Sequence, residues 1–270
     1  MSSATDQARN FDGRTALITG AAGDIGRATA LRLASKGARV VLADLGDVSA
    51  SHEMCSAIVG APTPVSTQFD VTDAAAVEQT FADLAAEGVV ADLLFNNAGY
   101  QGDFVNIVDV DVDDVRRVLD INVVGVFTVL QSFARTLIAA GRGGAVVNSA
   151  SMAYGGAPNM AAYSASKAAV IALTKTAAKD LAHHSIRVNS VSPAFIGPGM
   201  MWDRQVELQA NTPSQYFPDD PAAVAAQMIN SVPLRRYGSL DEVAAAVDFL
   251  LSDDSSYITA FDVEVSGGAA

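Results

Sequence analysis

Two side chains with complementary acid–base chemistry lie four residues apart near the middle of the chain. Tyr163 and Lys167 belong to a segment with helical periodicity, so they share one face of a helix. A phenol has a pKa of about 10 and is a weak base at neutral pH. An ammonium group about 4 Å away, at an effective dielectric constant of about 20, is worth about 4 kcal/mol and lowers that pKa toward about 7. The spacing predicts an acid–base catalyst, although a single Tyr-x-x-x-Lys pair also occurs on ordinary surfaces.

A glycine-rich loop near the N-terminus has the chemistry of a phosphate-binding site. Gly20, Gly23 and Gly26 follow an apolar strand and precede a helical pattern. Backbone N–H groups and the positive end of the helix dipole can bind a pyrophosphate at such a turn. The spacing differs from the usual G-x-G-x-x-G, so the loop alone is equally consistent with ordinary turn chemistry.

Asp44 strengthens the interpretation of that loop as a dinucleotide site. It ends the second predicted strand, at the distance of about 20 residues where an acidic residue accepts hydrogen bonds from ribose hydroxyls. Its carboxylate would also repel a 2′-phosphate, and its neighbours Ala43 and Leu45 carry no positive charge. The sequence therefore favours NAD over NADP.

These residues depend on strands and helices that alternate along the chain. The predicted strands are residues 15–19, 39–43, 65–69, 92–95, 144–148, 186–191 and 262–265. The predicted helices are residues 25–36, 47–59, 73–87, 112–140, 160–183 and 240–251. The strands are apolar throughout, as in a parallel sheet that is covered on both faces. We expect an α/β fold with a doubly wound, parallel seven-stranded sheet and helices on both faces.

One long segment interrupts this alternation. We expect residues 11–270 to form a single domain after a flexible N-terminus of residues 1–10, with an insertion at about 195–233. A long insertion in a compact domain is usually functional, and this one contains the only tryptophan. Ser151 directly follows the fifth predicted strand, at the carboxyl edge of the sheet where open α/β folds bind ligands. Its hydroxyl can donate a hydrogen bond to a substrate oxygen.

Six segments resemble the short-chain dehydrogenase/reductase family, whose fold is Rossmann-type. They are TGAAGDIG (residues 19–26), LFNNAG (94–99), LDINVVG (119–125), VVNSAS (146–151), YSASK (163–167) and IRVNSVSPA (186–194). The resemblance implies a catalytic tetrad of Asn122, Ser151, Tyr163 and Lys167. In it, Tyr163 is the acid/base, Lys167 lowers its pKa and binds the nicotinamide ribose, Ser151 orients the substrate oxygen, and Asn122 holds a water.

The same resemblance implies a set of cofactor contacts. The implied residues are Gly20, Gly23, Asp24, Ile25, Asp44, Leu45, Asp70, Val71, Asn97, Ala98, Gly99, Tyr163, Lys167, Pro193, Ala194 and Ile196. Two places depart from the family pattern. Asp24 replaces the middle glycine of the loop, which puts a carboxylate near an anionic cofactor. Ala194 replaces a glycine after the sixth strand, and Gly197 and Pro198 stand where a threonine is expected.

A narrower resemblance concerns the substrate. Segments within residues 95–102, 158–163, 201–209, 214–217 and 231–238 are similar to NAD-dependent xylitol dehydrogenases of this family, which implies a polyol or related secondary alcohol. The candidate substrate residues are Ala153, Asn159, Met200 and Trp202. Arg204 and Glu207, three residues apart, are interpreted as a surface ion pair.

Composition limits the partners. Among 270 residues, 17 basic and 30 acidic side chains give a net charge of −13, which disfavours nucleic acid. Cys55 is the only cysteine and there are three histidines, so neither a disulfide nor a metal site is expected. The sequence shows no uninterrupted apolar run of about 18 residues and no signal peptide, so we expect no membrane partner and a cytoplasmic location. Its long apolar helices and the family pattern predict a homotetramer.

Three functions remain in comparison. The first is an NAD-dependent oxidoreductase that transfers a hydride between a polyol or other secondary alcohol and NAD. The second is an NADPH-dependent ketone or 3-ketoacyl reductase of the same family, which Asp44 disfavours. The third, from a different class, is a non-catalytic dinucleotide-binding sensor. The presence of Ser151, Tyr163 and Lys167 together argues against a sensor.

Overall fold

Seven parallel strands form one sheet in the computed structural model, which describes residues 10–269. The strands are β1 (Thr15–Thr19), β2 (Arg39–Asp44), β3 (Val65–Gln68), β4 (Leu93–Asn96), β5 (Gly144–Ser149), β6 (Ile186–Pro193) and β7 (Asp262–Val265). They pair in the order β3-β2-β1-β4-β5-β6-β7. This arrangement confirms the predicted fold class. The prediction for residues 1–10 falls, except for residue 10, outside the described residues.

Nine α-helices pack around the sheet within the described residues. They are α1 (Asp24–Ser35), α2 (Ser49–Ser56), α3 (Ala74–Ala86), α4 (Val112–Leu119), α5 (Val126–Ala139), α6 (Ala161–Leu181), α7 (Met200–Asn211), α8 (Pro221–Ser231) and α9 (Leu240–Leu251). Buried residues of α3, α5 and α6 form one core with the sheet, and those of α1, α2 and α9 form a second.

Alternation along the strands explains the two cores. Leu17 and Val41 point into the first core, whereas their chain neighbours Ile18 and Leu42 point into the second. All four are fully buried because helices cover both faces of the sheet. Strand order reverses direction between β1 and β4, and ligands bind in the crevice that such a reversal opens at the carboxyl ends of the strands.

A π-helical turn divides the helix that was predicted over residues 112–140. It covers Asp120–Gly125 and separates α4 from α5. The turn passes close to the loop after β3, because a Cβ on Gly125 would lie 2.6 Å from Val71 Cγ2. Turns of this kind occur frequently at functional sites, and this one contains Asn122.

The insertion has its own small core. Trp202, Val206 and Ala210 of α7 pack against Val224 and Met228 of α8. The apolar face of α7 therefore points toward α8, and the remaining surface of the helix is free to cover the carboxyl edge of the sheet.

The helical run Val112–Ala139 is long and apolar enough to cross a membrane by length and composition. The sequence prediction counted uninterrupted apolar runs and did not register this segment. More than half of its most apolar window, 56%, is buried inside the protein, as expected for a core helix.

Candidate active site

A cavity of about 1070 Å³ runs along the carboxyl edge of the sheet, beneath α7. All sixteen residues that the sequence predicted around a cofactor line it. It is as large as the larger small-molecule sites of proteins. Ser151 and Tyr163 line the same cavity, so the predicted cofactor and reaction sites are continuous.

The glycine-rich loop has the geometry that a phosphate group requires. Gly20 has a φ of +66°, and a Cβ there would lie 2.8 Å from Asn97 Nδ2. A Cβ on Gly26 would lie 2.1 Å from the Gly20 carbonyl oxygen, so the loop folds back tightly on itself. Gly23 is the N-cap of α1 and supplies no capping side chain. The first amides of α1 are therefore available to an anion.

Asp44 lies at the end of β2 and shapes the loop as well as the cavity wall. Its Oδ2 accepts a hydrogen bond from the Ala22 N–H at 3.0 Å, and its Oδ1 accepts one from the Gly46 N–H at 2.8 Å. Each carboxylate oxygen has a further lone pair that a ribose hydroxyl can use. The residues present therefore fit an adenine dinucleotide without a 2′-phosphate.

Ser151, Tyr163 and Lys167 meet at the end of β5. Ser151 follows that strand, and its hydroxyl hydrogen-bonds to the Tyr163 phenol. Lys167 lies one turn after Tyr163 on α6, with Nζ 5.4 Å from the centre of the phenol ring. That Nζ donates a hydrogen bond of 2.7 Å to the Ser149 carbonyl oxygen. The three predicted side chains are thus brought together around one point of the cavity.

Burial shifts the pKa of Tyr163 upward, opposite to the predicted direction. Tyr163 is partly buried in the cavity wall, and the loss of hydration raises the pKa of its phenol to about 12, while the hydrogen bond from Ser151 lowers it by less. Burial also lowers the pKa of Lys167 to about 8. The expectation of a phenol near 7 concerns the working enzyme and stays a prediction, whereas without a cofactor the pKa of Tyr163 is shifted in the opposite direction. In both side chains the loss of hydration disfavours the charged form, which is the phenolate of Tyr163 and the ammonium of Lys167.

Asn122 lies behind the cavity wall and is fully buried. Its Oδ1 accepts a hydrogen bond from the Tyr100 N–H, and its Nδ2 donates to the Tyr100 carbonyl oxygen, both at 2.8 Å. Nδ2 also donates to Ser166 Oγ at 3.0 Å, and that hydroxyl donates to the Tyr163 carbonyl oxygen at 2.7 Å. The Asn122 side chain therefore positions the loop after β4 and the first turns of α6.

Asp24, the departure from the family pattern, connects the loop to α7. Its Oδ1 accepts a hydrogen bond from Arg27 Nη2 at 2.7 Å, which offsets its charge. Its Oδ2 accepts one from the Met200 N–H at 3.2 Å, at the start of α7. A Cβ on Gly199 would lie 2.8 Å from that oxygen, so glycine is needed for this close approach.

The four predicted substrate residues do not all reach the cavity. Ala153, Met200 and Trp202 line it, and Met200 is largely exposed. Asn159 does not line it: its Nδ2 donates to Gln209 Oε1 on α7 at 2.9 Å. The side chain therefore fastens the loop before α6 to α7 instead of facing a substrate.

Gln101 and Arg204 are two of the lining residues that the sequence did not predict for the site. Arg204 points into the cavity, where its Nη1 donates to Gln101 Oε1 at 3.0 Å. It forms no ion pair with Glu207, so the interpretation of these two as a surface pair is wrong. Their i, i+3 spacing permitted a pair, but α7 turns Arg204 toward the sheet. The available signal was that Gln101 and Arg204 both lie in segments that resemble xylitol dehydrogenases.

Comparisons with known proteins agree along almost the whole chain. A family model described as enoyl-(acyl carrier protein) reductase matches residues 20–270. Levodione reductase of Leifsonia aquatica is 34% identical, over 99% of this chain and 98% of its own. Sorbitol dehydrogenase of Cereibacter sphaeroides is 35% identical, over 96% and 98%. The solved structure of an NAD⁺-bound xylitol dehydrogenase superposes with a TM-score of 0.89 at 49% identity, covering 96% of this chain and 99% of that one.

These matches span the sheet, the glycine-rich loop and the serine, tyrosine and lysine at the end of β5. Together they show that the chain belongs to the short-chain dehydrogenase/reductase family, oxidoreductases that act on alcohols and ketones.

Proposed function

We propose that this protein is an NAD-dependent dehydrogenase that oxidises a polyol or a related secondary alcohol. The observation that carries the proposal is the convergence of Ser151, Tyr163 and Lys167 in a cavity whose other end contains Asp44. The first group has acid–base chemistry for an alcohol. The carboxylate at the other end fits the unphosphorylated ribose of NAD.

The reaction divides the substrate's hydrogen atoms between the cofactor and the protein. The glycine-rich loop and Asp44 would hold NAD⁺, which would supply the acceptor for the hydride of the alcohol carbon. Ser151 hydrogen-bonds to the alcohol oxygen, and Tyr163 takes the hydroxyl proton as the carbonyl forms, reacting as the phenolate that the positive charges of Lys167 and of a bound nicotinamide would favour. Lys167 contributes the positive charge that favours a phenolate. Asn122 holds the loop after β4 and the start of α6 in their positions.

The choice of NAD rests on Asp44 and on the structural comparison. The glycine-rich loop and Asp44 would hold the pyrophosphate and the ribose, and the similar xylitol dehydrogenase was solved with NAD⁺ bound. The choice of a polyol rests on that comparison and on the sorbitol dehydrogenase relative. For this chain, both NAD as the cofactor and a polyol as the substrate are proposals.

The first alternative is an NADPH-dependent ketone or 3-ketoacyl reductase. A relative that supports it is 3-oxoacyl-[acyl-carrier-protein] reductase of Thermotoga maritima, which is 35% identical. The carboxylate of Asp44 disfavours this alternative because it would repel a 2′-phosphate. A sensor without catalysis is the remaining alternative, and an assembled serine–tyrosine–lysine site argues against it.

The experiment is a rate measurement of NADH formation with pentitols, hexitols, cyclic alcohols and hydroxy acids. Tyr163→Phe is the matched control, since it removes one oxygen from the cavity and nothing else. We expect the wild type to oxidise a polyol. In Tyr163→Phe, kcat for this oxidation should fall by about 100-fold or more, with NAD binding nearly unchanged. Reduction of a 3-ketoacyl thioester with NADPH at a higher kcat/KM would favour the first alternative. Dinucleotide binding without any turnover would favour a sensor.

A further inference from the structure

Two polar side chains face each other across the substrate end of the cavity. Gln101 follows β4, and Arg204 lies on the second turn of α7. Arg204 Nη1 donates to Gln101 Oε1 at 3.0 Å, and both residues line the cavity that contains Ser151 and Tyr163. The mechanism proposed above uses neither of them.

The guanidinium of Arg204 has no counter-charge from the protein. Within residues 10–269 it forms one hydrogen bond, to the neutral Gln101 amide, and no salt bridge. Several other arginines of this acidic chain do pair with carboxylates, for example Arg27 with Asp24 and Arg32 with Asp248. A partly buried guanidinium that lacks such a partner keeps most of its five donors for a ligand.

The pair also offers an acceptor. Gln101 is 8% exposed, and no other hydrogen bond from its Nε2 is found among the described residues. Its Oε1 uses one lone pair for Arg204 and keeps the second. A ligand in this corner therefore meets donors from both side chains and one acceptor between them. A hydroxyl group donates and accepts, whereas a carboxylate only accepts, so neighbouring hydroxyls match this pattern better.

The position of each side chain is fixed by the fold. Asn122 holds both the N–H and the carbonyl oxygen of Tyr100, directly before Gln101. On the other side, Trp202 and Val206 are buried against α8, which sets the face that α7 turns toward the sheet. The pair is thus a prearranged polar corner and not the ends of two freely moving chains.

We propose that Gln101 and Arg204 form a subsite that binds the hydroxyl groups of a polyol beyond the carbon that is oxidised. The subsite selects polyhydroxylated substrates over simple secondary alcohols. This inference rests on the proposed function, because it assigns the recognition of the substrate that Tyr163 oxidises.

The test compares two substrates in matched variants. Xylitol carries hydroxyls beyond the reacting carbon, and 2-butanol carries none. In Arg204→Met the kcat/KM for xylitol should fall by about 30-fold or more, and that for 2-butanol should change by less than threefold. Gln101→Glu should give the same pattern, because the new carboxylate would pair with Arg204 and occupy it. Glu207→Gln, on the exposed side of α7, is the control and should leave both substrates unchanged.

A binding measurement separates this inference from the proposed function. Xylitol is titrated calorimetrically into Tyr163→Phe with NAD⁺, and into the same protein with Arg204→Met added. Weaker binding in the double variant supports the subsite even if the wild type oxidises no alcohol, in which case only the proposed function fails. Equal binding overturns the subsite.

Two kinetic outcomes would also overturn it. Equal losses for xylitol and 2-butanol in Arg204→Met would indicate that the arginine only supports α7. A wild-type preference for a sugar acid over the polyol of the same length, abolished in Arg204→Met, would assign the guanidinium to a carboxylate.

Discussion

At the scale of single residues, Tyr163 is the clearest case of an environment overriding a local pattern. Burial raises its pKa to about 12, so the phenol stays protonated in the cofactor-free protein throughout the neutral range. We expect no phenolate absorbance from Tyr163 between pH 6 and pH 9, measured as the spectral difference between wild type and Tyr163→Phe. The exposed Tyr257 supplies a control through Tyr257→Phe. A phenolate band with a midpoint near pH 7 would contradict the burial argument.

Lys167 is buried at a cost in stability. Burial lowers its pKa from 10.5 to about 8, a difference worth on the order of 3 kcal/mol. Because the folded pKa is the lower one, this cost is fully present below about pH 8 and disappears as the pH rises toward 10.5. Lys167→Met keeps the volume and loses the hydrogen bond to Ser149, so we expect a net gain of about 1–2 kcal/mol at pH 7.

The measurement is denaturant unfolding of the cofactor-free protein at pH 7 and pH 9.5. The gain should shrink at the higher pH, and the variant should lose its catalytic activity. Lys175→Met, at an exposed position of the same helix, is the control. A destabilised Lys167→Met protein at pH 7 would show that the hydrogen bond outweighs the burial cost.

Asp44 is expected to set the cofactor preference. Its charge would repel a 2′-phosphate, so kcat/KM should favour NAD over NADP by at least about tenfold, or about 1.4 kcal/mol. Asp44 also accepts the Ala22 N–H, so Asp44→Ala should narrow the preference and weaken NAD binding together. Asp44→Asn retains an acceptor without the charge, and should raise the rate with NADP more than it lowers the rate with NAD. Equal rates with both cofactors in the wild type would refute this role.

At the scale of elements, α7 is fastened to three different loops along its length. Met200 is held by Asp24 of the glycine-rich loop, Arg204 by Gln101 after β4, and Gln209 by Asn159 before α6. Each of these loops lies in a different part of the site. Contacts made by the cofactor or by the substrate with one of the loops can therefore affect the position of α7.

Asp24 permits a prediction about this arrangement. Neutralising Asp24 removes a negative charge beside the phosphate loop and leaves the Arg27 guanidinium available to the phosphates. Dinucleotide binding should therefore become about two- to fivefold stronger. Both Asp24→Asn and Asp24→Ala should show this effect in a binding titration. Only Asp24→Ala should also lower the hydrogen-exchange protection of the Met200 amide, because asparagine keeps an acceptor. Weaker dinucleotide binding in both variants would show that the carboxylate supports the loop.

The regular elements were predictable for a physical reason. Strands β1, β2, β4 and β5 are short and mostly apolar, as expected, whereas β3, β6 and β7 mix apolar and polar residues. Tyr163 and Lys167 lie on one face of α6 because they are four residues apart. The π-helical turn was not predictable, since Asp120–Gly125 continues the apolar pattern of its neighbours. Its geometry depends on the approach of Gly125 to Val71, which is a tertiary contact.

The position of the insertion was predicted, but the packing of its helices and the pairing of Gln101 with Arg204 were not, for a related reason. The buried residues of α7 and α8 pack against each other, and the sequence pattern of either helix does not indicate which element it packs against. Arg204 has a plausible local partner at Glu207, and only the orientation of α7 directs it to Gln101 instead. All sixteen predicted cofactor residues line the cavity because they are fixed by strand ends and by the loop that follows β1.

At the scale of the whole molecule, an apolar stripe on α5 and the preceding turn remains uncovered. Val124 is 49% exposed, Phe127 47% and Ile138 40%, and their spacing places them on one helical face. We expect this stripe to be buried between subunits of a homotetramer. Light scattering at micromolar concentration should give four times the mass of the chain, and Phe127→Glu should lower that mass. A monomeric mass for the wild type would refute the assembly.

The location of the only tryptophan turns α7 into an optical probe. Trp202 lies in the cavity wall and packs against Phe195 and Tyr237, with ring centres 6.1 and 5.6 Å away. Because Trp202 is the only tryptophan, all intrinsic indole fluorescence of the protein comes from α7. That emission overlaps the absorption band of a reduced nicotinamide, so energy transfer would report the cofactor and the cover together. Stopped-flow fluorescence of the unmodified enzyme can accordingly follow the arrival of a reduced nicotinamide beside α7.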